Sequence, residues 1–314
     1  MLKNIIFRAS SIILIVMLSG CGVGGGGGSI AGTSSVEISS NKSSNASSSS
    51  VSNSSAVTSS VSGRSILDRP DKFIDKYQVH VIYAVPSDKQ DHQLDLTNGL
   101  EVSLNAANNF FFKTTNQKIR FDETDSGHID ISFLRLPMND NYYASKLAFA
   151  RESVQTDVRT AGFNDPKKIY LVYYEGTNEA TCGNAPSVGS GDGVTVLYLH
   201  GLGNFSSPCD SQGFTTDVSV ATYWEFVPLH ELVHTLSFVG ACAPHGKTQP
   251  THTSDDPSDL MYAGDQPWRP TTIDPGQDDY YGVNVLPSCP RNLMNSAFLE
   301  PQLGAEIPIN FPHN

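Results

Sequence analysis

Three observations in this sequence predict an α/β (α+β) fold: a twisted mixed sheet carrying helices, followed by a loop-rich C-terminal lobe. Short runs of β-branched and aromatic residues alternate with stretches whose apolar residues recur at helical spacing. Their order is strand, helix, strand, strand, helix, strand, strand, helix, the alternation that packs helices on a sheet. Beyond Gly240 these patterns fade, and Pro, Gly and Asp become frequent.

The first strand is read over 77–85 (YQVHVIYAV) and stops at Pro86, Ser87 and Asp88. Leu100, Leu104, Ala107 and Phe111 then recur at helical spacing, which predicts an amphipathic helix over about 96–113. Two strands follow, over 118–124 and 128–136; in the second, Ile129, Ile131 and Phe133 alternate. Residues 143–161 have helical composition and end at Gly162. Apolar runs at 168–174 and 194–200 predict two further strands, and about 220–239 the last helix. Pro228 either occupies that helix's first turn or kinks a longer one.

The N-terminal part is not expected to be fold. Lys3 and Arg8 precede an apolar run over 12–18 that is too short to span a bilayer as a mature helix. The run ends in Leu18, Ser19, Gly20 and Cys21, which resembles the lipobox of bacterial lipoproteins. That resemblance implies a leader over 1–20 and a lipid on Cys21. With Gly22 next rather than an aspartate, it points to the outer membrane or cell surface. Residues 21–65 then read as a Gly/Ser-rich tether with too few large apolar residues to offset the entropy of ordering. Residues 66–314 are the globular part. Membrane contact is expected through the lipid alone, and the chain is expected to be a monomer.

Lys plus Arg is 20 against 32 for Asp plus Glu, so no basic face for nucleic acid is expected. Of five cysteines, removing Cys21 leaves Cys182, Cys209, Cys242 and Cys289. An even count in an exported chain reads as two disulfides, for which three pairings exist. The preferred pairing is Cys182–Cys209, bracketing a Gly/Ser/Pro-rich excursion, with Cys242–Cys289 tying the chain after the last helix to the C-terminal segment. A four-cysteine zinc site is disfavoured because no CxxC pair exists.

The chemistry concentrates in HELVH, residues 230–234. On a helix, His230 and His234 lie one turn apart on one face and can bind a single zinc ion. Glu231 points elsewhere and can act as general base on a water at an open metal position. Leu229, Leu232, Val233 and Leu236 supply an apolar face, as in any buried helix, but that also suits a helix beneath a cleft. A third ligand is required. Only Glu300 and Glu306 follow Glu231, both in a Pro-punctuated tail, which disfavours a glutamate-type site. The pattern HExxHxxGxxH fails as written, since Ser237 and Gly240 occupy its last two defined positions.

Downstream, however, a histidine and an acidic stretch lead to Asp259, Leu260 and Met261. HELVH followed by this spacing resembles the leishmanolysin branch of the metzincins, in which an insertion precedes the third histidine. The resemblance spans roughly 77–300, although only HELVH and the DLM tripeptide are specific. It implies a metzincin-like domain, zinc as cofactor, His252 as third ligand and Met261 as the Met-turn residue. His245 is the rival, with Asp255 or Asp256 as further candidates. With Ser237 in the glycine position, Gly240 is the residue expected to make the left-handed turn out of the helix.

Tyr262 is a candidate oxyanion support or a packing residue, and Trp224 and Trp268 either line the cleft or fill the core. His80 and His128 read as ordinary strand residues. No calcium site is assigned to Asp274, Asp278 and Asp279, because their spacing is not that of an EF-hand. The expectation is a surface-anchored zinc endopeptidase acting on protein or peptide substrates. The alternative is a non-catalytic zinc-containing adhesion module, against which an intact Glu231 argues.

Overall fold

The computed structural model describes residues 64–186, 193–201, 209, 213–236, 239–240, 242–246, 251–289 and 291–308. The expected leader, Cys21, most of the tether, and Ser237 lie outside the described residues. A five-stranded mixed sheet forms the centre, in the order β3-β1-β4-β6-β5. Strands β1 (Gln78–Val85), β3 (Ile131–Arg135), β4 (Lys168–Tyr174) and β6 (Val194–Tyr198) are mutually parallel. The short β5 (Gly183–Asn184) runs antiparallel at one edge.

Alternation along β1 explains why the sheet is covered on both faces. Val79, Val81, Tyr83 and Val85 enter one core, which also holds Leu104 and Phe111 of α1 (Gly99–Thr115) and Leu232 and Val233 of α4 (Tyr223–Leu236). Ile82 and Ala84 enter a second core with Val154 and Val158 of α3 (Ala150–Thr160). Every residue of β1, β4 and β6 is buried, as expected of parallel strands sandwiched between helices.

Two expected elements differ. Of 118–124 only β2 (Lys118–Ile119) is a strand, and it pairs with the unexpected β7 (Leu299–Glu300) rather than joining the main sheet. The rest forms single bridges: Phe121 bridges Val79 of β1, with Val79 N–H donating to the Arg120 carbonyl and Asp122 N–H to the Val79 carbonyl, both at 2.9 Å. Arg120 also donates to the carbonyls of Ala297 and Leu299 at 2.7 and 2.9 Å, and Asp122 accepts from Lys168 at 2.7 Å. The helix expected over 143–161 is broken into α2 (Asp140–Ala144), a 3-10 turn and α3. Asn139 caps α2, its side chain accepting from Tyr142 N–H at 2.8 Å, and Leu147 takes a positive φ of 52° that ends the run. Helix α3 ends, as expected, at Gly162 (φ 100°), with Phe163 N–H reaching back to the Val158 carbonyl in a Schellman motif.

Helix α4 begins at a capping box. Thr222 donates its N–H and hydroxyl to Glu225 at 2.8 and 2.7 Å, and the same fully buried carboxylate accepts from Ser103 and Thr215 N–H. This start places Pro228 inside the helix, beyond the first turn. Among the described residues past Val239 the chain is loop, apart from a 3-10 turn (Leu293–Asn295) and β7. The disulfides are Cys182–Cys209 and Cys242–Cys289, with Cα separations of 5.6 and 5.3 Å. Gly240 does not make a left-handed turn: a Cβ there would lie 3.0 Å from Cys242 Sγ, so its smallness admits the disulfide. Disulfides are the chemistry of an oxidising, extracytoplasmic compartment. Among the described residues no helix is long and apolar enough to cross a membrane.

Candidate metal centre

One helical turn of α4 brings His230 and His234 side by side, and the chain after the Cys242 disulfide brings His252 up against both. The three Nε2 atoms form a near-equilateral triangle with edges of 3.0, 3.1 and 3.3 Å. His230 Nδ1 lies 2.8 Å from the Leu260 carbonyl. A carbonyl only accepts, so the neutral ring carries its proton on Nδ1 and directs the Nε2 lone pair at the other two imidazoles. One proton can bridge two such nitrogens but not three, whereas a cation at the centre satisfies all of them. Burial and the neighbouring imidazoles hold His230 down to about 4 and His234 well below its ordinary value, favouring the neutral rings that bind metal. Zinc–nitrogen distances of 2.0–2.1 Å in a tetrahedron imply edges of about 3.3–3.4 Å, close to the triangle observed. The residues therefore fit a zinc ion.

His252 owes its position to a small irregular pairing. Its neighbour Thr253 donates its N–H to the Met261 carbonyl and accepts from Ala263 N–H, both at 2.9 Å. The turn that follows is built on Asp259, which accepts from Met261 N–H (2.7 Å), the Tyr280 hydroxyl (2.6 Å) and the Thr253 hydroxyl (3.0 Å). Met261 is fully buried within this turn. The Leu260 carbonyl accepts from both His230 and the Trp268 indole (3.0 Å), so one backbone oxygen orients a ligand-type ring and a wall of the site. Trp268 stands 5.6 Å from His230, ring centre to ring centre. Trp224, by contrast, is a core residue donating to the Cys209 carbonyl at 3.1 Å.

His245 lies apart from the triangle. Its N–H and Nδ1 contact Asp279 at 2.8 and 3.1 Å, and Asp255 and Asp278 are 3.8 Å from the ring. Asp256 accepts from Ser258 N–H. Asp274 accepts from the N–H groups of Asp279, Tyr280 and Tyr281, acting as a backbone cap. The Tyr262 hydroxyl accepts from Gln266 N–H, which ties it into the loop after Met261. His80 is a buried strand residue bonded to Asp122 and Ser132, while His128 is exposed, lies just outside β3 and contacts Glu101.

Glu231 faces β5. A Cβ on Gly183 would lie 2.6–2.8 Å from the Glu231 carboxyl group, so only glycine leaves room for it there. Burial pushes this carboxyl up to about 8, against a backbone hydrogen bond from Ala185 that lowers it. Nothing in the sequence signals β5, because a two-residue strand has no periodicity to detect. Nor does the sequence suggest that Asp259 and Tyr280 organise the turn carrying Met261.

No protein-family model matches the chain, and no curated protein sequence matches it. Among solved structures, a chaperone–substrate complex is similar at 12% identity and TM-score 0.36, covering 61% of this chain and 32% of that one. OgpA from Akkermansia muciniphila is similar in two crystal forms, at 14% and 15% identity and TM-scores of 0.33 and 0.34. Those alignments cover 57% and 68% of this chain and 52% and 61% of OgpA. Likeness at this level carries no functional information, and the chemistry rests on the residues themselves.

Proposed function

We propose that this chain is a zinc-dependent endopeptidase of the metzincin type, held at the cell surface by a lipid on Cys21. The observation that carries this reading is the convergence of His230, His234 and His252 beside the half-buried Glu231 carboxylate. Three neutral imidazoles are the ligand set of a hydrolytic zinc site, which retains one open position. Zinc held by His230, His234 and His252 would supply Lewis acidity and a water acidified towards neutrality.

Glu231 takes the proton of the attacking water and returns it to the leaving amine, and a pKa near the working pH suits both transfers. The Ala185 N–H orients the carboxylate during the exchange. Strand β5 is paired only with β6 among the described residues, leaving an edge beside Glu231 to which an extended peptide can add as a further strand. His252 is the third ligand in this reading, and Met261 packs in the turn that supports it.

Glu231→Gln is the test. The variant should bind zinc as wild type does while cleavage of a denatured protein falls by about 10²–10⁴-fold. Cleavage at the wild-type rate would overturn the assignment. Zinc binding without cleavage by the wild type would instead favour the adhesion module.

A further inference from the structure

A second group of ligand-type side chains meets at the carboxyl ends of three neighbouring parallel strands, where open α/β sheets present their ligand crevices. Tyr83 is near the end of β1, Glu175 directly follows β4, and His200 lies two residues beyond β6. His92 comes from the loop between β1 and α1. Glu175 Oε1 is 3.0 Å from His92 Nδ1 and 2.5 Å from His200 Nε2. Its Oε2 accepts from the Tyr83 hydroxyl at 2.5 Å, and that hydroxyl accepts from the His92 backbone N–H at 3.1 Å. The three ligand atoms all lie within 4.8 Å of one another.

Two imidazoles converge on the same oxygen of Glu175. Its side chain is 3% exposed, and among the described residues its ion pairs are with His92 and His200 alone. Elsewhere in this lobe Asp122 pairs with Lys168, Asp130 with Arg69 and Asp140 with Lys89, while the buried Glu225 is held by hydroxyl and N–H donors.

We propose that His92 Nδ1, Glu175 Oε1 and His200 Nε2 form a second divalent metal site, separate from the HELVH centre. Two imidazoles and one carboxylate select a zinc-type transition metal, since calcium and magnesium require oxygen ligands. Tyr83 orients the carboxylate, as outer-sphere hydrogen bonds do at such sites. The ion would tie the β1–α1 loop and the chain after β6 to the end of β4. None of these residues belongs to the peptidase reading, so each can fail alone.

Metal counting decides it. Chelated full-length protein is reloaded with Zn²⁺, desalted and analysed for zinc per chain by mass spectrometry. Wild type should hold two equivalents. His230→Ala with His234→Ala should hold one, as should His92→Ala with His200→Ala, and all four substitutions together should hold none. If the first pair abolishes all binding, or the four-substitution variant keeps an equivalent, the second site is wrong. If the first pair changes nothing while the second pair does, the HELVH centre is wrong instead. His92 is half exposed in a loop, so His92→Ala alone keeps the test readable should the double variant unfold. With circular dichroism unchanged, it should weaken the second site at least tenfold; unchanged affinity would overturn the proposal.

Discussion

Among the described residues up to Leu236, order comes mainly from apolar burial, with β1, β4 and β6 wholly inside two cores. Beyond Val239 little regular structure remains, and order comes from a disulfide and from carboxylates that collect backbone and hydroxyl donors. The candidate metal centre straddles this division. Two of its histidines ride on a helix, whose rigidity is that of the core. The third is placed by irregular backbone pairing that side-chain hydrogen bonds and a cross-link support. The two regions should therefore respond differently to damage: injury to the first lowers global stability, and injury to the second loosens the metal.

The largest effect is expected from Cys242→Ser with Cys289→Ser. Their separation of 47 residues corresponds to about 4 kcal/mol of loop-closure stabilisation. Zinc affinity at the HELVH centre should fall at least tenfold while the far-UV circular dichroism of the helices persists. Unchanged zinc affinity would break the contrast between the regions.

Next in size is Leu232→Ala, which removes a fully buried side chain of α4 and should cost about 3 kcal/mol. Thermal unfolding should shift accordingly, yet the zinc affinity of the folded molecules should match wild type. A parallel loss of affinity would mean the helix is no more rigid than the loop.

Tyr280→Phe should cost about 1–2 kcal/mol, because it strips one donor from the buried Asp259 carboxylate. Its signature is a several-fold weaker zinc site, read by competition with a chelator. If zinc competition were unaffected, the Asp259 turn would not be what positions His252.

The smallest effect is in pH dependence. Burial raises Asp259 to about 7, above its unfolded value of about 3.9. The folded chain then binds the proton more tightly, so this group's contribution to stability falls as pH rises between about 4 and 7. On going from pH 7 to pH 5, zinc-free Asp259→Asn protein should therefore gain less stability than zinc-free wild type. Equal gains in thermal melts would show that the carboxylate is not buried as described.

Much of the first region was legible because periodicity reports it. Strand β1, helix α1, β4, β6 and α4 all lie close to where alternation and helical spacing put them. The misreadings fall where pairing shrinks to single bridges, as at Phe121 and Glu123, or where one residue breaks a helix, as Leu147 does. Gly240 was misread for a related reason: its need is for space beside a disulfide, which local backbone preference does not reveal.

By itself, the sequence determined the mixed α/β layering, the four-residue spacing of His230 and His234, the carboxylate between them and the candidate disulfide partners. These are local facts, or follow from patterns that repeat along the chain. Only the tertiary structure shows which of His245 and His252 lies beside His230 and His234, since both are in the same aperiodic stretch and neither has a helix to define its direction. Asp279 draws one ring away, and the Thr253–Met261 pairing brings the other to the triangle. The meeting of His92, Glu175 and His200 was likewise invisible in one dimension. It arises because parallel strands distant in sequence end side by side, so their last residues and the loops beyond them become neighbours.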